Sequence, residues 1–231
     1  MQVGRKRHAD SFGDMQMNDY KYILMCGGTY TNWHAPRQIA KIRGEPIVAR
    51  TIRLLMENGI TDIAVSSDNP IFGQFGVPVL KHENGYTADG QRITGGYWCE
   101  AFYLTDEPVC YLFGDVVYSP EAIRIIIETE TDDIEFFASS PPFSSEYIKP
   151  WAEPFALKVA DTEHLKRAIC TTKQYADMGL FDRPPIMWEL WQIIKQTPLN
   201  RIDYGNYITI NDYTCDVDRE EDIELIENKI R

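Results

Sequence analysis

Three stretches of this 231-residue sequence carry residue types whose spacing could do chemistry. Gly27–Gly28–Thr29 follows the aromatic and aliphatic run Tyr20–Met25 and Cys26. Glycines after a strand let the backbone approach a phosphate, so that its N–H groups donate to the oxygens. A plain tight turn would use the same residues. The pattern is neither G-x-G-x-x-G nor a P-loop: Gly27 and Gly28 are adjacent, no later glycine fits, and no Gly-Lys-Ser/Thr follows. Asp115 closes Phe113–Gly114–Asp115, and Asp216 opens the acidic run Asp216–Val217–Asp218–Arg219–Glu220–Glu221–Asp222. Carboxylates are hard oxygen ligands of the kind a small divalent cation takes, a few of them leaving room for water and phosphate. Each also has a structural use. Asp115 can start the turn before Ser119. The acidic run can be a helix N-terminus favoured by the macrodipole, which suits Asp218 to Asp222 better than Asp216.

The elements that must position these residues show in the hydrophobic pattern. Tyr20–Met25, Ile63–Val65, Val77–Leu80, Pro108–Phe113, Ile134–Ala138, Pro154–Val159 and Ile208–Ile210 read as strands. Helices are expected from Ile47 to the Asn58–Gly59 C-cap, from Gly95–Gly96 to Leu104, from Ser119–Pro120–Glu121 onward, over Ile186–Ile194 and over Glu220–Ile230. Such alternation is the signature of an α/β fold with a largely parallel sheet, where ligands gather at the carboxyl ends of strands. The Ser-, Pro- and aromatic-rich stretch Ser139–Pro154 is expected to loop over the site. Residues 1–18 read as a loose polar arm and residues 19–231 as one domain.

Lys plus Arg come to 23 and Asp plus Glu to 35, a net charge of −12. That surface repels nucleic-acid backbones, although a local basic pocket can still hold a small anion. No apolar run approaches the ~18 residues of a membrane helix, and no secretory signal is visible. Five cysteines, widely spaced and without CxxC, suit a reducing compartment, so a cytoplasmic location is expected.

Downstream of the glycines runs Pro36–Arg37–Gln38–Ile39–Ala40–Lys41–Ile42–Arg43–Gly44–Glu45–Pro46–Ile47, followed by Arg50–Thr51–Ile52 and then Asn58–Gly59–Ile60–Thr61–Asp62–Ile63. In order and spacing this resembles the first motif of the sugar-phosphate nucleotidyltransferases, including the molybdopterin-guanylyltransferase-like NTP transferases. The resemblance extends to Asp115 as a strand-end acid and to Asp216–Ile223 as the closing acidic motif. It implies a Rossmann-like three-layer sandwich with a mostly parallel mixed sheet. It also implies transfer of a nucleoside monophosphate from an NTP to a phosphorylated small acceptor, with release of pyrophosphate. Asp115 and Asp216 would hold Mg²⁺. Cys26, Gly27, Gly28, Thr29, Arg37, Ser67, Asp68, Thr94 and Gly95 would line the nucleotide, and Lys149 and Trp151 the acceptor.

Two positions depart from the family pattern. Aligned from Gly27–Gly28, the third glycine falls on Tyr30 and the catalytic arginine on Asn32. Asn32 cannot offset charge on a triphosphate, so either Arg37, which takes the place of the motif lysine, Lys41 or Arg43 supplies it, or turnover is slow, or the chain binds nucleotide without reacting it. A nucleotide-sugar glycosyltransferase using Asp216–Val217–Asp218, or a nucleotide binder without turnover, are the alternatives. Oligomeric state, nucleobase and acceptor are left open by these residues.

Overall fold

The computed structural model describes residues 20–27, 33, 35–82, 97–144, 146–201 and 204–230. Gly28, Thr29, Tyr30, Asn32, Thr94 and Gly95, and the arm of residues 1–18, lie outside these.

A seven-stranded sheet is built around β1 (Lys21–Met25), which pairs in parallel with β4 (Ile63–Ser66) on one side and β6 (Val109–Phe113) on the other. All five residues of β6 and all four of β4 are buried. Covered on both faces, such strands read as continuous apolar runs rather than alternating ones. Beyond β4 lies β5 (Val79–Leu80). Beyond β6 come β9 (Pro154–Val159), β8 (Ile134–Ala138) and β10 (Ile208–Thr209), giving the order β10-β8-β9-β6-β1-β4-β5. Only β9 runs antiparallel to its neighbours. The carboxyl ends of β1, β4, β6 and β8 therefore share one edge of the sheet.

Helices α1 (Ile47–Glu57) and α2 (Pro120–Glu128) pack with each other, as do α3 (Thr162–Asp177) and α4 (Met187–Lys195). With the sheet they make the Rossmann-like sandwich. α2 starts where its sequence says: the Ser119 hydroxyl accepts from the Ala122 N–H at 2.8 Å, with Pro120 in the first turn. Its C-terminus is closed from the sheet. The buried Lys158 ammonium of β9 donates to the carbonyls of Ile127 at 2.8 Å, Thr129 at 2.7 Å and Ile126 at 3.2 Å.

α3, the longest helix, is not expected from the apolar pattern. Its buried face is Thr162, Leu165, Ala168, Ile169 and Thr172, with only two large aliphatics. The capping is nonetheless written in the chain, as the Asp161 carboxylate accepts from the His164 N–H at 2.8 Å. Residues 98–101 form a short 3-10 turn where a longer helix is expected.

A second, smaller core holds the pieces that matter most for the site. Val117, Cys215, Val217 and Ile226 pack with Ile42 and Ile47. These residues join β7 (Val116–Val117), β11 (Cys215–Asp216) and α5 (Glu220–Lys229) to the hairpin of β2 (Lys41–Ile42) and β3 (Glu45–Pro46). Arg43 and Gly44 both have positive φ, 49° and 84°, as a tight two-residue hairpin requires. Among the described residues no helix is long and apolar enough to cross a membrane. None of the five cysteines forms a disulfide, and only Cys170 is exposed.

Candidate active site

The ends of β1 and β6 touch. The Gly114 N–H donates to the Met25 carbonyl at 3.0 Å. A Cβ on Gly114 would lie 2.5 Å from Cys26 Sγ and 2.6 Å from the Met25 carbonyl oxygen, so only glycine fits here. This contact sets Asp115 at the mouth of the β1 loop. β7 then carries the chain into an antiparallel pairing with β11, Asp216 opposite Val116, and the Val217 N–H donates to the Asp115 carbonyl at 2.9 Å. Backbone hydrogen bonds thereby set the segments of Asp115 and Asp216, far apart in sequence, side by side.

Their side chains join a chain of alternating charge. The Arg37 guanidinium, mostly buried, lies 2.5 Å from Asp115 Oδ2 and 2.7 Å from Asp218 Oδ1. Asp218 in turn lies 2.7 Å from the Lys149 ammonium through Oδ2. Lys149 also contacts Asp216 and Glu153, the latter at 3.2 Å, with Asp222 at 3.8 Å. The sequence Asp115–Arg37–Asp218–Lys149–Asp216 thus runs unbroken through space. An ammonium among four carboxylates stays charged: burial alone would lower its pKa, but the acids outweigh burial and raise it. Asp218 shows the complementary effect, since Lys149 and Arg37 overcome its partial burial and hold it below the usual carboxylate range. Burial and the adjacent Glu153 carboxylate press Asp216 upward instead, against the pull of Lys149.

Of the three cations Arg37, Lys41 and Arg43, Arg37 is the one that lies on the acids. Lys41 is exposed. Arg43 is occupied elsewhere, where its guanidinium reaches the Glu227 carbonyl at 3.3 Å and the Ile230 carbonyl at the end of α5. Cys26 is buried, and burial, with Asp115 adding to it, pushes its thiol well up, so it is no nucleophile. Its carbonyl accepts from the Ser67 hydroxyl at 2.8 Å, and that hydroxyl also accepts from the Asn69 N–H at 3.1 Å. Ser67 is therefore committed to holding the ends of β1 and β4 together, while Asp68 is exposed beside it. Trp151 is 55% exposed at the rim, with its indole N–H on Glu153 Oε1 at 2.6 Å and its ring 5.9 Å from the Lys149 ammonium.

Four residues join the site that the motif reading left out. Asp218 faces Arg37 rather than serving only the start of α5. Asp222 does that work, accepting from the Asp218 and Arg219 N–H groups at 2.9 Å each. Glu153, buried, accepts from the Asp216 N–H at 3.3 Å. The Trp33 indole N–H donates to the Asp218 carbonyl at 3.1 Å, and the Gln38 amide donates to the Gly27 carbonyl at 3.3 Å. Only the Asp-x-Asp spacing signals any of these in the sequence.

Glu153, Cys215 and Asp216 bring one donor atom each within 4.8 Å of one another, two of them hard carboxylate oxygens, and burial pushes the Cys215 thiol up, while the Asp115 and Asp218 carboxylates are held on Arg37 instead. A separate cluster of Asp133, Asp161 and His164 lies at the opposite end of β8 and contacts none of these.

No protein-family model matches the chain, and no curated protein matches it in sequence. Solved structures do match in fold. The inositol-1-phosphate CTP transferase from T. maritima is 14% identical, with a TM-score of 0.56 over 91% of this chain and 96% of that one. A protein described as a glucose-1-phosphate thymidylyltransferase from Bacillus anthracis, in complex with a sucrose, is 15% identical, with a TM-score of 0.54 over 90% and 94%. HddC from Yersinia pseudotuberculosis, complexed with GMP-PN, is 13% identical, with a TM-score of 0.51 over 92% and 100%. The fold is the one these three structures share, over nearly the full length of each chain.

Proposed function

We propose that the chain is a nucleotidyltransferase that joins the nucleoside monophosphate of an NTP to a phosphorylated small acceptor and releases pyrophosphate. The observation that carries this reading is the Arg37 guanidinium spanning Asp115 and Asp218, at 2.5 and 2.7 Å, beside the end of β1 on this fold. The matched structures named for transfer to inositol 1-phosphate and glucose 1-phosphate support the same class of acceptor.

The acceptor phosphate is ionised at neutral pH, so its oxygen attacks the α-phosphorus without a general base. A new P–O bond forms there as the bond to the β-phosphate oxygen breaks, and pyrophosphate carries away the electron pair. The work of the chain is positioning and charge neutralisation. Arg37, held between Asp115 and Asp218 beside the end of β1, offsets the negative charge that builds on the leaving group, the role Asn32 cannot fill. Lys149, on the β8–β9 side of β6, holds the acceptor phosphate, and Trp151 offers its exposed face to the body of the acceptor. Glu153 orients Lys149 and the Asp216 backbone. Asp115 and Asp216, with Asp218 as a third carboxylate, would hold Mg²⁺, which when bound neutralises and aligns the phosphate oxygens.

Incubation with each NTP, Mg²⁺ and a panel of phosphorylated sugars and polyols tests the reading through pyrophosphate release. Release that depends on the acceptor and is lost in Asp115→Asn supports it. Release of a nucleoside diphosphate from a nucleotide-sugar would replace it with glycosyl transfer.

A further inference from the structure

α3 and α4 pack together but leave a cleft of about 520 Å³ between them, within the ~300–1,000 Å³ span of pockets that hold small molecules. His164, Arg167, Thr171 and Tyr175 of α3 line it opposite Gln192 and Gln196 of α4. The four α3 positions are spaced by three, four and four residues, and so share one face of that helix. Thr171 and its neighbour Ala168 are short, so this face does not fill the gap. A seam between two packed helices is ordinarily closed by apolar side chains, whereas this one is lined by hydrogen-bonding groups.

Gln192 is 3% exposed, and its amide hydrogens are spent: Nε2 donates to the Pro198 and Arg201 carbonyls at 2.6 Å each, pinning the turn after α4. Those two carbonyls fix which way the amide faces. No described residue donates to its Oε1, so a buried acceptor is left over in the lining of the cleft. An amide oxygen donates nothing, so it takes a hydroxyl or an amine. Buried acceptors without a partner are few in folded proteins. Arg167 stands at the rim, with Asp161 at 3.8 Å. That carboxylate already caps α3, accepting from the His164 N–H at 2.8 Å, and Asp133 is taken by His164 Nδ1 at 2.6 Å. The Arg167 fork is therefore open to an oxyanion, whose two oxygens match its parallel N–H donors.

We propose that the α3–α4 cleft is a second ligand site, which takes a small hydroxylated anion with its carboxylate or phosphate on Arg167 and a hydroxyl on the Gln192 amide oxygen. The cleft lies away from the acids on Arg37. Asp133, beside His164, precedes the first residue of β8, whereas Ser139 leaves the other end of that strand toward the segment that carries Lys149. The ligand therefore occupies a place other than those of the nucleotide and the acceptor. The site stands whether or not the chain transfers nucleotides. Carboxylate and phosphate both fit the guanidinium fork, and a polyol or a sugar can carry either.

Titration of the ¹⁵N-labelled full chain with gluconate and, separately, with glucose 6-phosphate, followed by NMR, tests the proposal. At least one of the two is expected to bind and to shift amides of α3 and α4. Binding of gluconate alone assigns a carboxylate ligand, and binding of glucose 6-phosphate alone a phosphate. Arg167→Gln, at an exposed position, is expected to weaken that binding about tenfold or more, the value of a charge-assisted hydrogen bond. Thr171→Trp fills the cleft and is expected to abolish it. Asp115→Asn, in the candidate active site, is expected to leave it unchanged. Failure of both compounds to bind overturns the proposal, as does unchanged affinity in Arg167→Gln or in Thr171→Trp. Binding that is lost in Asp115→Asn places the compounds at the active site and overturns it too.

Discussion

Arg37 and Asp218 meet across 181 residues of chain, the Arg37 Nη1 donating to Asp218 Oδ1 at 2.7 Å. The other guanidinium nitrogen lies 2.5 Å from Asp115. One arginine thus fixes the distance between the strand-end acid and the closing acidic motif. A lysine could hold one of these acids as a point charge but lacks the planar fork that reaches both.

If Arg37 supplies the charge that Asn32 cannot, its loss must affect turnover. Arg37→Lys is expected to lower kcat for pyrophosphate release by about 10²-fold or more, the order seen when one group stabilising transition-state charge is lost. Steady-state kinetics with the preferred NTP check it. A kcat within experimental scatter of the wild type would remove Arg37 from the reaction.

Asp218 is expected to matter as much as Asp115. Asp115→Asn and Asp218→Asn should each reduce Mg²⁺-dependent turnover severely, and the double variant should be little worse than either single one, as for residues that act as a unit. Full additivity of the two losses, measured as kcat/KM, would show that the acids work separately.

Gly114→Ala tests the contact that aims Asp115. The added Cβ meets both Cys26 Sγ and the Met25 carbonyl oxygen. A loss of about 1–3 kcal/mol in denaturant unfolding is expected. Adding Cys26→Ala should restore only part of it, because the clash with the carbonyl remains. Complete rescue would place the whole strain on the thiol.

The pH dependence of stability carries one clear sign. Glu45 accepts from Arg53 Nε and Nη2 at 2.8 Å each, and those hydrogen bonds, with the Arg53 and Arg50 charges, outweigh burial and hold its carboxyl below the usual range. A carboxyl with a lowered folded pKa stabilises the fold above its unfolded pKa and loses that contribution as pH falls through the folded value. Glu45→Gln should therefore be less stable than the wild type at neutral pH, with the gap closing in acid. Urea melts of both proteins across that range decide it, and a gap that widens in acid would contradict the assignment.

Lys158→Met should destabilise the fold by about 1–3 kcal/mol, since three carbonyls at the end of α2 lose their donor. Chemical denaturation measures this directly. An unchanged or raised midpoint would show that burying the ammonium costs as much as its hydrogen bonds contribute.

Local signals in the sequence were strong where one residue does one job. Ile134–Ala138 and Pro154–Val159 are strands at the expected bounds, and Ser119 caps α2. Asp115 and Asp216 were legible as a pair because the motifs flank them. Asp218 shows in the sequence only through its Asp-x-Asp spacing with Asp216, since an acid before a helix is also explained by the helix, and its use beside Arg37 shows only in the structure. Glu153 lies outside every motif, and its place beside Lys149 and Asp216 depends on β9 and β11 meeting in three dimensions. α3 carries no apolar pattern in the sequence because threonine and alanine line much of its buried face.

Nucleotidyl transfer is read by following ³¹P-resolved products when the wild-type chain is mixed with an NTP, Mg²⁺ and inositol or hexose 1-phosphate. Expected is pyrophosphate formed one for one with a nucleoside diphospho-linked acceptor, and neither product from Asp115→Asn. Pyrophosphate-free mixtures across all NTPs and acceptors, from a chain that is folded and binds triphosphate, would contradict it.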